Sequence, residues 1–204
     1  MNKKGVRIIL IVLLICVIGV FSYYKFLKKE PEVNTVKVMD SIDDFNYTLD
    51  ERDTKLMKSI YKELKETLKN ETVDYKEYAS LIARLFIVDL FTLNNKINKY
   101  DVGGYEYVYP SSVDNFKLNV ESTIYKYLED NTYETRKQEL PEVSEIEVLE
   151  TVNDTYTIDN VDYDSYIISL KWDYKKNMNY ENKAIITLVK KDNKVFVVEY
   201  KPGE

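Results

Sequence analysis

Residues 75–93, YKEYASLIARLFIVDLFTL, decide how this chain is built. From Leu81 to Leu93 the run is apolar around most of a helical circumference, so it reads as a helix covered on more than one side. Asp74 and Glu77 precede and enter it as an N-cap acceptor and an N3 acid, the spacing of a capping box. Such a helix belongs at the centre of a core, and the rest of the sequence must supply what surrounds it.

One acid interrupts the apolar run. Asp89 shares a stripe with Ile82, Leu85, Phe86 and Leu93, where a lone carboxylate is costly without a partner. Arg84 lies on a different face, so no intrahelical ion pair is expected. Two readings stand: a carboxylate hydrogen-bonded to loop backbone or to a tyrosine hydroxyl, or a general base with a raised pKa in a pocket. The first is favoured, because no second catalytic group is evident beside it.

Working outward toward the N-terminus, Leu56, Met57, Ile60, Tyr61, Leu64 and Leu68 recur at three- and four-residue steps after Thr54, the mark of a helix with one buried face. On the other side, Asn94 to Lys96 and Asp101 to Gly104 are turn chemistry. The Gly103-Gly104 pair invites a ligand-loop reading, but neither G-x-G-x-x-G nor G-x-x-x-x-G-K is present. It reads instead as a corner that needs positive φ. Tyr105, Tyr107 and Tyr109 alternate with Glu106 and Val108, a period of two that predicts a short strand. Pro110, Ser111 and Ser112 then open a third helix, with Ser111 and Asp114 as a cap pair and Val113, Phe116, Val120, Ile124, Tyr127 and Leu128 as its buried stripe.

After Pro141 the pattern changes to four β-rich runs: Val143 to Val152, Asp164 to Tyr174, Lys183 to Lys190 and Lys194 to Lys201. Asp192-Asn193 suits a tight hairpin between the last two. Ile146, Val148, Ile167, Leu170, Trp172, Ile186, Leu188, Phe196 and Val198 supply the apolar positions of an antiparallel sheet. Asp159, Asp162 and Asp164 lack the glycine of a calcium loop and read as a solvated turn.

At the far N-terminus, Ile8 to Phe21 is uninterrupted apolar sequence, extended by Ser22-Tyr23-Tyr24 into an aromatic edge. With those residues it approaches the roughly 17–20 needed to span a bilayer. No A-x-A pattern marks a cleavage site, so residues 1–29 read as an uncleaved anchor with basic flanks, represented by Ile8, Leu14, Cys16 and Phe21. The short tail before it favours a single pass with the N-terminus inside and the remainder outside the cytoplasm. Residues 30–49 read as a stalk, whose Asp40, Asp43 and Asp44 are solvated acids rather than a calcium site, and 50–204 as an extracytoplasmic domain.

Composition sets the limits on chemistry. The 204 residues are 45% hydrophobic and 31% charged, an ordinary globular balance. Residues 1–29 hold six of the 29 bases and no acid, so the 23 bases that remain face all 35 acids and leave residues 30–204 at about −12. That surface repels phosphate backbones, and nucleic acid is not expected as a partner. There is no histidine, and the only cysteine, Cys16, lies in the anchor. Ser-His and Cys-His nucleophilic sites, zinc held by His or Cys, and an internal disulfide are thereby excluded. No cofactor and no metal is expected.

The order of elements implies an α+β domain: an N-terminal transmembrane helix, then about three helices packed on a curved antiparallel sheet of about four strands. Over roughly residues 50–201 this order resembles the nuclear-transport-factor-2-like fold, as used by the single-pass extracytoplasmic subunits of type IV secretion and conjugation channels. The resemblance rests on element order and carries no functional residue across. It implies a non-enzymatic scaffold or assembly protein of a bacterial apparatus, whose partners are the membrane, other membrane proteins or a second copy. The alternative is a small-molecule-binding module with a conical pocket lined by Leu85, Asp89, Tyr107 and Trp172. A third reading, an isomerase- or dehydratase-like enzyme, takes Asp89 as base and a tyrosine as proton donor.

Overall fold

The central helix forms where the apolar run requires it. In the computed structural model, which describes residues 36–203, α2 spans Tyr75–Phe91 and buries eleven of its 17 residues. Asp74 caps it, its carboxylate accepting from the Lys76 and Glu77 backbone N–H groups. The expected anchor over 1–29, with Ile8, Leu14, Cys16 and Phe21, lies outside the described residues. Among the described residues no helix is long and apolar enough to cross a membrane.

Helix α1, Lys55–Leu68, packs beside α2, and the Thr54 hydroxyl accepts from the Met57 N–H to start it. Its buried residues, Met57, Ile60, Tyr61 and Leu64, are one stripe at helical spacing. Strands β3 (Val143–Ile158), β4 (Val161–Tyr174), β5 (Lys183–Lys191) and β6 (Lys194–Pro202) form an antiparallel meander in sequence order, and α2 packs against all four. The domain is α+β, with three α-helices and a four-stranded antiparallel sheet. Ile168, Leu170, Trp172, Ala184, Ile186, Leu188, Val195 and Val197 close the core from the sheet side. Register shifts between Val143 and Glu145, between Val148 and Glu150, and between Thr187 and Leu188 are bulges that bend their strands.

Four departures from the sequence reading have physical causes. Residues 38–50, all but the last inside the expected stalk 30–49, instead form a hairpin, β1 (Val38–Ile42) and β2 (Tyr47–Asp50). Tyr47 is fully buried there: its ring stacks on Phe45, its hydroxyl meets that of Tyr78 at 2.7 Å, and its carbonyl accepts from the Tyr61 hydroxyl at 3.1 Å. The short strand expected at Tyr105–Tyr109 is two 3₁₀ turns, Tyr105–Tyr107 and Pro110–Ser112, flanking a lone parallel bridge from Val108 to Val197. Tyr107, Val108 and Tyr109 are buried consecutively, which a period-two strand with one solvent face would not allow.

Helix α3 covers only Val113–Ser122, with no side-chain cap from Ser111 or Ser112, and Val120 is its one buried residue. Tyr127, expected in its stripe, lies beyond the helix and is 77% exposed. Strands β3 and β4 run to Ile158 and from Val161, well past the expected limits at Val152 and Asp164. They are joined by Asp159-Asn160, whose φ values of 52° and 62° are those of a tight two-residue hairpin turn.

Candidate functional site

Asp89 organises a polar cluster at the end of α2. It sits in the last turn of α2, two residues before Phe91, and the chain leaving the helix folds back over it. Lys96 donates to one carboxylate oxygen and the Gly104 N–H to the other, the latter at 2.6 Å. Lys96 is only 6% exposed. Burial pulls its ammonium down, but the charge and hydrogen bond of Asp89, with Tyr125 and Asp101 nearby, outweigh this and hold it above the ordinary lysine value. The Tyr125 hydroxyl donates to the Leu90 carbonyl at 2.8 Å and accepts from the Gly103 N–H at 3.3 Å, closing the corner from the other side.

The glycine pair is what lets the loop approach. A Cβ on Gly103 would lie 2.2 Å from the Asp89 carbonyl oxygen, closer than non-bonded atoms come. Gly104 has φ +78°, in the left-handed region. The pair is therefore a docking corner between loop and helix, and what it cradles is a carboxylate of its own chain.

A second layer surrounds this clasp. Arg52 donates to Asp101 at 2.9 Å and to the Asn95 carbonyl, and Asp101 accepts from the Ile97 N–H at 2.8 Å. Asp53 accepts from the Asp50 N–H at 2.6 Å. Glu106 accepts from the Thr48 N–H at 3.2 Å and hydroxyl at 3.0 Å, which ties β2 to the loop. Between the β1–β2 hairpin and this loop lies a cavity of about 350 Å³. Asp50, Asp53, Asp89, Asp101 and Glu106 line it, against Arg52 and Lys96. Burial, with the Asp89 charge adding to it, pushes Asp53 up to about 6 and Glu106 up to about 7 against the hydrogen bonds they accept. Burial also raises Asp50.

The four pocket residues expected from sequence do not meet around this cavity. Asp89 lines it. Leu85 and Tyr107 are fully buried in the core. Trp172 is buried with its ring 5.1 Å from that of Phe91, and borders a separate depression with Glu145 and Lys171. The Asp89 carboxylate carries a cation and a backbone N–H, and the nearby tyrosine, Tyr125, bonds backbone rather than that carboxylate. Among the described residues no group of three or more acidic, histidine or cysteine side chains is placed to hold a metal.

Sequence reasoning missed Lys96, Arg52, Asp101, Asp53 and Glu106. Lys96 stands seven residues from Asp89 but on a loop, where helical spacing has no predictive force. The one usable signal was an acid in an apolar stripe followed by a lysine in turn sequence. A scan against protein-family models finds no match to this chain, and neither do searches of curated proteins and of solved structures.

Proposed function

We propose that the chain is a non-enzymatic, membrane-anchored assembly protein whose domain outside the cytoplasm docks a basic, extended segment of another membrane protein. The observation that carries this reading is β3. It is an edge strand of 16 residues, with β4 on one side and no strand on the other among the described residues. Glu145, Glu147, Glu150 and Asp154 lie along it, and residues 143–158 contain neither lysine nor arginine. An open ladder edge invites pairing by main-chain hydrogen bonds. Acids along it oppose self-pairing, because like charges face each other across the new ladder. A partner strand rich in Lys or Arg is complementary.

Two further features support the reading. The apolar run Ile8 to Phe21 with basic flanks supplies an anchor. The Asp89–Lys96 clasp spends the one carboxylate that an enzymatic reading would use as base on holding the fold together.

The test is made in cells, with a photo-crosslinking residue at Val152, 44% exposed on β3, and as control at Tyr127. The expected result is an adduct with a membrane protein from position 152 and not from 127. The pair Glu150→Lys and Asp154→Lys should reduce it at least about fivefold, since two charge contacts reverse sign. Adducts only with a second copy, or none from 152, would sink the proposal.

A further inference from the structure

We infer that the groove between α2, α3 and the far end of the sheet binds an organic ammonium compound, its aromatic or alkyl body among Phe86, Phe91, Phe116 and Tyr200 and its cation at Glu181. This goes beyond the docking role of β3 and uses a different surface. The groove has a volume of about 670 Å³, within the range of small-molecule sites. Its floor and walls come from α2 (Phe86, Leu90, Phe91), α3 (Phe116, Val120) and β6 (Tyr200). The loop between β4 and β5 forms the mouth with Tyr180 and Glu181.

Packing explains why the space exists. Helix α3 buries one side chain, Val120, and otherwise rests on the core through the half-buried Val113 and Phe116, so it borders the groove instead of filling it. Protein interiors are close-packed and seldom leave apolar space of this size unfilled. The rings around it are already set by their neighbours: Phe86 on Phe116 with centroids 5.7 Å apart, Phe91 on Tyr200 at 6.2 Å, and Tyr180 on Tyr174 at 6.2 Å. Ring faces held in place attract cations, most strongly those that carry apolar substituents and are weakly hydrated.

Charge decides between occupants. The Tyr200 hydroxyl donates to the Glu181 carboxylate, and the Tyr174 hydroxyl holds the Glu181 carbonyl at 2.6 Å. The carboxylate is thus positioned at the mouth, and it is absent from the ion pairs of the described residues. Among the described residues no lysine or arginine lines the groove. The excess of acids over residues 30–204 raises the local concentration of any cation. Neutral amphiphiles meet the same rings but bring no positive charge to Glu181, and anionic ones are repelled by it.

The probe set keeps a phenyl body and varies the charge: 2-phenylethylamine and the bulkier benzyltrimethylammonium as cations, 2-phenylethanol as the neutral analogue of the amine, phenylacetate as the anion. Trp172, the sole tryptophan, lies in a tilted ring contact with Phe91 of the groove wall and reports occupancy by fluorescence. The full-length chain in nanodiscs of zwitterionic lipid is titrated, with empty nanodiscs as blank. Saturable changes with both cations, binding about five- to tenfold weaker for the alcohol, and none for phenylacetate are expected. Glu181→Gln should remove the preference for amine over alcohol. Asn119→Phe, at an exposed groove residue of α3, should abolish all binding while the circular dichroism stays unchanged; if it unfolds, Thr123→Phe takes its place. No saturable response to the cations, equal affinity for the alcohol, a preference that survives Glu181→Gln, or binding that survives a folded groove-filling variant would each overturn the assignment.

Discussion

Asp89 and Lys96 are worth more to each other than either is alone. Removing one partner of a buried pair leaves an uncompensated charge, so Asp89→Asn should cost about 3–5 kcal/mol, and Lys96→Met a similar amount. The double replacement Asp89→Asn with Lys96→Met should cost clearly less than the sum of the two, as read by denaturant unfolding through Trp172 fluorescence. Simple additivity would mean the pair is not coupled. The neighbouring glycines fail in a definite order. Gly103→Ala forces a Cβ against the Asp89 backbone and should cost more than Gly104→Ala, which pays chiefly the roughly 1–2 kcal/mol of a left-handed φ. Equal losses would count against the docking-corner reading. At this scale the acid was legible in the sequence and its partner was not, because an apolar stripe exposes a misplaced charge at once, whereas the lysine that meets it comes from a loop without periodicity.

Among the elements, the hairpin β1–β2 and the loop that faces it share a pH-dependent contact. Burial raises Asp53 to about 6 and Glu106 to about 7, so the native state holds protons that the unfolded chain releases near 3.8 and 4.5. Their stabilising contribution is complete below those lower values and is lost as pH rises through about 6 to 7. Glu106→Gln should therefore flatten the fall in stability between about pH 4.5 and 7, and an unchanged pH profile would refute this assignment. The β3–β4 hairpin carries a second expectation. Asn160 has φ 62°, and Asn160→Gly should slow amide exchange at Ile158 and Val161, the pair that closes the turn, by relieving it. The helices were readable because an apolar stripe at 3.6-residue spacing is hard to produce otherwise. The outer part of this hairpin was not. Thr151, Asn153, Thr155 and Thr157 look like loop sequence when neither face of a two-stranded ribbon is fully buried. The four residues of β2 were too few to show any period, although Tyr47 is among the most buried residues present.

Across the whole molecule, charge and shape act together. The acids along β3 belong to a domain with a large negative excess, so the proposed capture of a basic partner should weaken steeply with salt. Raising ionic strength from about 0.05 to about 0.5 M shortens the screening length severalfold, and the Val152 adduct should fall with it in isolated membranes. An adduct yield indifferent to salt would point to apolar contacts, such as those of the exposed Leu149 and Val161, as the main attraction. The order of helices and meander was legible because each change of period is visible in the chain. The polar cavity and the apolar groove were not, since both arise where segments distant in sequence fail to fill the space between them.

The hairpin at the start of the domain also sets how it meets mechanical load. Val38 pairs with Asp50, so the first residue of β1 lies opposite the last of β2. Tension entering from the N-terminal side therefore opens the ladder one rung at a time, the weakest direction in which a hairpin can be pulled. Resistance comes from the side chains that pin it: Lys65 on Asp40 at 2.6 Å, Glu106 on Thr48, and Lys194 on the Phe45 carbonyl. Once these release, slack of about 3.3 Å per residue is paid out before α1 feels the force. The hairpin is then a shock absorber in series with the core, and the buried Tyr47 is the stop at which its travel ends.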